Sequence, residues 1–140
     1  MTMEHIEYSL QIDAPIEAVL LLVGAFDLFG DFHPQVASCD AEGEGVGATR
    51  TLWLGDGQEL VEELTEELPN GYVYTGSDSV NAKRWTGRIA VAARGEHATV
   101  SWTLDFEPAA GQETQAVRAR MLGMLEEGLV SAKRQLEGLD

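Results

Sequence analysis

The chain has 140 residues, 44% of them hydrophobic, and a formal net charge of −15 from 24 acidic against 9 basic side chains. That length suits one ordinary domain with one core, taken here as residues 1–140. So acidic a surface repels phosphate backbones and anionic membrane faces, which excludes nucleic-acid binding. Cys39 is the one cysteine, so neither an intrachain disulfide nor a cysteine metal cluster is expected. The opening MTMEHIEYSL has no basic segment and no long apolar run, and no stretch approaches the ~18 apolar residues of a membrane span. A cytoplasmic protein is expected.

Residues 4–12 alternate, with Ile6, Tyr8, Leu10 and Ile12 against His5, Glu7, Ser9 and Gln11, and predict a half-buried strand. Asp13 is placed as a helix cap and Pro15 as an early helical residue, opening a short apolar helix over 16–23. A second short helix or turn over 26–32 is stopped by His33-Pro34, because the residue before proline is pushed out of the helical region. Strands are predicted over 36–42, 48–54, 58–67, 72–77, 84–93 and 98–106. Gly43-Glu44-Gly45, Gly55-Asp56-Gly57, Pro69-Asn70-Gly71 and Arg94-Gly95-Glu96 supply turns, and a polar loop fills 78–83. Short turns between successive strands make an antiparallel meander. Residues 114–139 close the chain as a long helix, with Val117, Met121, Leu125, Leu129, Ala132 and Leu136 on one face. Sheet and rod each carry an apolar face and must bury them on each other, an α+β architecture.

Alternation also says which side chains face the helix. Leu60, Glu62 and Leu64 share one face of their strand; Arg50, Leu52 and Leu54 share one face of the strand before it. Trp85 and Ile89 face inward on 84–93, and Trp102 on 98–106. Tyr72 and Tyr74 share a face whose side stays open. Arg50 and Glu62 thus arrive on the concave faces of adjacent strands. They either pair there, each lowering the other's cost of burial, or one of them snorkels out at the sheet edge.

The order of elements resembles the helix-grip fold, a curved antiparallel seven-stranded sheet wrapped around a long C-terminal helix, with two short helices after the first strand. Its superfamily (SRPBCC) holds the START lipid-transfer domains, birch-pollen-allergen proteins, plant abscisic acid receptors and bacterial polyketide cyclase/dehydrase-like proteins. Ile12-Asp13-Ala14-Pro15-Ile16-Glu17-Ala18-Val19 is similar to the bacterial opening I-x-A-P-x-E-x-V. Phe32-His33-Pro34 resembles their W-H-P with Phe for Trp, and Gly47-Ala48-Thr49-Arg50-Thr51-Leu52 resembles G-A-x-R-x-L. Asp56-Gly57 followed by Glu62-Glu63-Leu64 resembles D-G…E-x-L, and Thr99-Val100-Ser101-Trp102 resembles T-x-x-W. The resemblance implies a hydrophobic cavity holding a small apolar or amphipathic ligand. Glu62 falls at a cavity-facing glutamate of the abscisic acid receptors, and Trp85 at a cavity aromatic. Residues 79–83 lack the receptors' histidine-containing latch, so hormone-type gating is not expected.

The expected ligand wall is therefore Leu52, Leu54, Leu60, Glu62 and Leu64 from two strands, Trp85, Ile89 and Trp102 from two others, and Met121, Met124 and Leu125 from the helix. The alternative is a cyclase or dehydratase in which Glu62 is the general acid or base and Arg50 stabilises an enolate oxygen. A second alternative is an interaction module that holds no ligand. His33 can reach a cavity mouth or simply cap and pack; His5 and His97 read as surface positions. Nothing has the spacing of H-E-x-x-H, so neither metal nor cofactor is expected. Cys39 reads as a buried small apolar residue. The chain is a monomer or a homodimer, pairing through a long edge strand such as 84–93 or a methionine-rich helix face.

Overall fold

The computed structural model describes residues 3–138. In chain order the elements are β1 (Glu4–Ile12), α1 (Ile16–Leu22), a 3-10 turn (Phe26–Leu28), α2 (Phe29–Phe32), β2 (Val36–Glu42), β3 (Thr49–Leu54), β4 (Glu59–Leu68), β5 (Gly71–Ser77), β6 (Ala82–Arg94), β7 (His97–Pro108) and α3 (Thr114–Glu137). The seven strands form one open antiparallel sheet in the order β1-β7-β6-β5-β4-β3-β2. Register shifts at Leu64/Glu66, Val36/Ser38 and Ala82/Arg84 are bulges of the kind that bend a sheet. The helix-grip expectation holds, with strand and helix ends within a residue or two of those predicted.

The rod α3 buries Val117, Met121, Leu125, Gly128, Leu129 and Ala132, the stripe its spacing predicts, while Leu136 is half-buried. Glu113 starts the helix by accepting the Ala116 N–H at 2.6 Å, and Gly138 ends it in the left-handed conformation at φ 72°. The predicted final residue, Leu139, lies outside the described residues. Within the sheet, α3 packs chiefly on β1 and next on β7. That off-centre seat decides where the interior is filled and where it stays open.

Three expectations need correction. Asp13 caps no helix: Pro15 occupies the cap position of α1 without a side-chain bond, and the Asp13 N–H instead donates to Glu137 Oε2 at 2.7 Å, tying the end of β1 to the end of α3. Strand β6 is not an edge, since β5 and β7 flank it; the edges are β1 and β2. Cys39 is half-buried rather than buried, its thiol turned toward the Asp27 carbonyl. Tyr72 and Tyr74 face inward, 2% and 1% exposed, because pairing with β6 sets them opposite Ile89 and Gly87 on the concave side.

Candidate functional site

Antiparallel register lines up Arg50 of β3, Glu62 of β4, Gly76 of β5 and Trp85 of β6 in one row across the concave face. Gly76 explains how the two ends of that row meet. A Cβ there would lie 2.3 Å from the Trp85 ring, so its absence lets the indole lie flat across β5. Trp85 Nε1 then donates to Glu62 Oε2 at 2.6 Å. From the other side, Arg50 Nε and Nη2 both donate to Glu62 Oε1, at 2.9 and 2.7 Å. Arg50 Nη1 donates to the Phe26 carbonyl at 2.8 Å and to the Tyr72 hydroxyl at 3.0 Å. The guanidinium lies 4.4 Å from the Phe29 ring centroid, 4.5 Å from that of Phe26 and 4.8 Å from that of Tyr74. Burial by itself would lower the Arg50 pKa; interaction with Tyr72, Glu62 and Tyr74 outweighs it, and the group is held cationic.

The next row repeats the device. Tyr74 sits opposite Gly87, and a Cβ on Gly87 would fall 2.1 Å from the phenol ring. The ring lies over β6 and its hydroxyl accepts the Trp102 indole N–H at 2.9 Å. Burial, reinforced by the Glu62 charge, raises the Tyr74 pKa well above the usual phenol range; burial also raises that of Tyr72. Both phenols keep their protons at neutral pH.

A third glycine seats His33. Its ring fits against Gly128 of α3, where a Cβ would come within 2.6 Å. The Gln35 N–H donates to Nδ1 at 3.2 Å, so Nε2 carries the proton and donates it to the Met124 carbonyl at 2.8 Å. A neutral imidazole thus fastens the segment after α2 to the long helix. Burial, the largest influence, pushes the His33 pKa below its ordinary 6.5. As pH falls below that value the unfolded chain takes up the proton first, so stability is full above it and is lost toward the lower folded pKa. Urea midpoints measured down from about pH 7.5 to 5.5 should therefore fall more steeply for the natural protein than for His33→Gln. Equal slopes would remove His33 as the cause.

Between α3 and β3–β5 lies a cavity of about 300 Å³. Its walls are Leu52, Leu54 and Leu60 from the sheet, Trp85, Tyr74 and Leu104 deeper in, and Met121 and Met124 from the helix. Glu62 lines it too and keeps 6% of its side-chain exposure. Gln35, Asp56, Gln58, Ser79, Asn81, Arg120 and Glu127 bring polar groups to its lining. Of the expected wall, Leu52, Leu54, Leu60, Glu62, Trp85, Met121 and Met124 border this space. Four do not. Ile89, Trp102 and Leu125 are fully buried core, and Leu64 borders a separate, more open groove beside Tyr72 and Phe26. Arg50 also stands behind the wall: it is 0% exposed, is not part of the lining, and donates to Glu62, the Phe26 carbonyl and Tyr72. Tyr74 and Phe29 are wall residues that strand and helix patterns did not single out; the interior glycines Gly76 and Gly87 were the available signal of close approach.

Chemically, the site is a largely apolar sleeve with one buried carboxylate, Glu62, in its wall, while Asp56 and Glu127 line it from exposed positions. Every neighbour of the Glu62 carboxylate donates: two N–H bonds reach Oε1 and one reaches Oε2. Among the described residues no group of three or more His, Cys, Asp or Glu is placed to hold a metal ion, and no helix is long and apolar enough to cross a membrane.

Comparison with known proteins adds the family. Residues 3–137 match the family described as polyketide cyclase / dehydrase and lipid transport. No curated protein matches the chain. Among solved structures, XoxI of Bacillus cereus superposes with a TM-score of 0.82 at 22% identity, covering 96% of each chain. A Thermobifida fusca protein gives 0.79 at 28% identity over 97% of this chain and 95% of its own. The Zhui aromatase/cyclase of a Streptomyces species gives 0.75 at 16% identity, over 98% of this chain and 93% of its own. The sheet, the terminal rod and a match over nearly the whole chain agree: the protein belongs to the polyketide cyclase/dehydrase and lipid-transport family.

Proposed function

We propose that this protein holds a small, largely apolar molecule in the cavity between β3–β5 and α3. The observation that carries this reading is the space itself: about 300 Å³ left open beside a packed core, walled by leucines, methionines and aromatic rings. That volume is at the lower end of known ligand sites, and an apolar wall with few polar groups is their usual make-up. A ligand-free interaction module would have no use for such a space. The catalytic alternative, a cyclase or dehydratase working through Glu62, asks that carboxylate to exchange a proton while three N–H groups already hold it. Those bonds favour a fixed acceptor over a mobile base, so binding is the reading the geometry supports best.

The neutral fluorescent probe N-phenyl-1-naphthylamine tests it. Saturable enhancement of its emission is expected with the natural protein. Leu60→Trp, which builds an indole into the half-exposed wall, should weaken binding about tenfold or more while leaving the unfolding free energy in urea within about 0.5 kcal/mol of the natural protein's. Absence of saturable binding, or equal binding by Leu60→Trp, would refute the proposal.

A further inference from the structure

The ionic pair is asymmetric with respect to the cavity: the anion faces it and the cation does not. Glu62 lines the space, whereas Arg50 is sealed behind it by Phe26, Phe29, Tyr72 and Tyr74. The guanidinium that neutralises Glu62 is therefore out of a ligand's reach. A ligand entering the sleeve meets a carboxylate oxygen without meeting its counter-ion.

Lone pairs decide what that oxygen can take. A carboxylate has about four acceptor sites. Three are filled, two on Oε1 by Arg50 and one on Oε2 by Trp85. The site left over belongs to Oε2, and nothing but a donor complements it. Tyr74 stands in the same wall as a neutral phenol whose oxygen already accepts from Trp102. Its own hydrogen finds no acceptor among the described residues and suits an uncharged carbonyl oxygen. A carboxylate head would satisfy Tyr74 but would sit beside the buried Glu62 charge, where like charges repel strongly.

Resting on the cavity-binding reading above, we propose that the ligand's buried end is an uncharged hydrogen-bond donor, a hydroxyl or N–H group received by Glu62 Oε2. The site therefore selects phenol- or alcohol-headed apolar molecules over fatty-acid-like or other carboxylate-headed ones. At exposed positions the lining carries Asp56, Glu127 and Arg120, and among the described residues the Arg120 guanidinium is bonded to the neutral side chains of Asn81 and Gln112.

A matched set of probes on the unaltered protein tests this without disturbing the buried pair. The probes are 2-naphthol, 2-methoxynaphthalene and 2-naphthoate, compared at about pH 7, where the phenol keeps its proton and the carboxyl has lost its own. Affinities are read from the indole N–H resonance of Trp85, which reports directly on the bond to Glu62. The naphthol should bind about tenfold tighter than either of the others, the value of a hydrogen bond to a charged acceptor. It should also shift the Trp85 resonance more than they do. Naphthol no tighter than methoxynaphthalene, or naphthoate as tight as naphthol, overturns the donor assignment while leaving cavity binding intact. Failure of all three to bind overturns both readings together.

Discussion

Replacing Arg50 with methionine is expected to cost about 3–5 kcal/mol of folding stability. The side chain is 0% exposed and makes four hydrogen bonds: two to Glu62, one to the Phe26 carbonyl and one to Tyr72. Methionine fills much of the volume but leaves Glu62 with Trp85 as its remaining partner, a carboxylate 5% exposed and without its counter-ion. It also removes the Arg50 N–H from the Phe26 carbonyl, between α1 and α2. Removing both charges should behave differently. Arg50→Met combined with Glu62→Leu should recover a large part of the loss, since a buried pair is often no better than well-packed apolar groups of like size. Urea unfolding of the two single variants and the double variant measures the coupling directly. A loss below about 1 kcal/mol in Arg50→Met would mean that the pair carries no structural weight.

The second large effect is expected from a single methyl group. Gly87→Ala should cost about 3 kcal/mol, the upper part of the range for overpacked interiors. Its Cβ would fall 2.1 Å from Tyr74 Cζ and 2.3 Å from the hydroxyl oxygen. The ring has little freedom to retreat, because Trp102 holds its oxygen at 2.9 Å and Arg50 stacks 4.8 Å from its centroid. The open direction is the cavity. A ring pushed that way occupies ligand space, so probe binding should fall with stability. Gly123→Ala is the matched control: it also borders the cavity, but a Cβ there meets nothing within 4 Å, and helix propensity favours alanine by about 1 kcal/mol. That variant should unfold no earlier than the natural protein. Equal urea midpoints for the two variants would contradict the packing of Tyr74 described above.

That Arg50 and Glu62 face inward on adjacent strands was legible in the sequence because both strands alternate cleanly; whether they pair or one snorkels out was open there, and the register that sets them directly opposite decides it. The Tyr72–Tyr74 face was not legible, since Val73 and Thr75 on its other side suit burial as well, and the pairing with β6 is what decides. Depth was the other missing quantity. Alternation says that Ile89, Trp102 and Leu125 turn inward, but not that α3 lies over β1 and β7 and covers them. Leu60, Leu54 and Met124 keep partial exposure because the same helix leaves the β3–β4 side uncovered. Arg50 shows the limit from the opposite direction: it faces inward as predicted and is still out of the cavity's reach, because aromatic residues from the α1–α2 segment and β5 close over it.

The most direct measurement of cavity occupancy uses the methionine methyl groups. The chain has four methionines, Met1, Met3, Met121 and Met124, and the last two line the cavity while the first two stand at the start of the chain. In protein labelled with carbon-13 at these methyls, saturating 2-naphthol should move the Met121 and Met124 resonances and leave that of the exposed Met3 in place. Unmoved Met121 and Met124 signals under a ligand that demonstrably binds would place the ligand elsewhere and contradict the account.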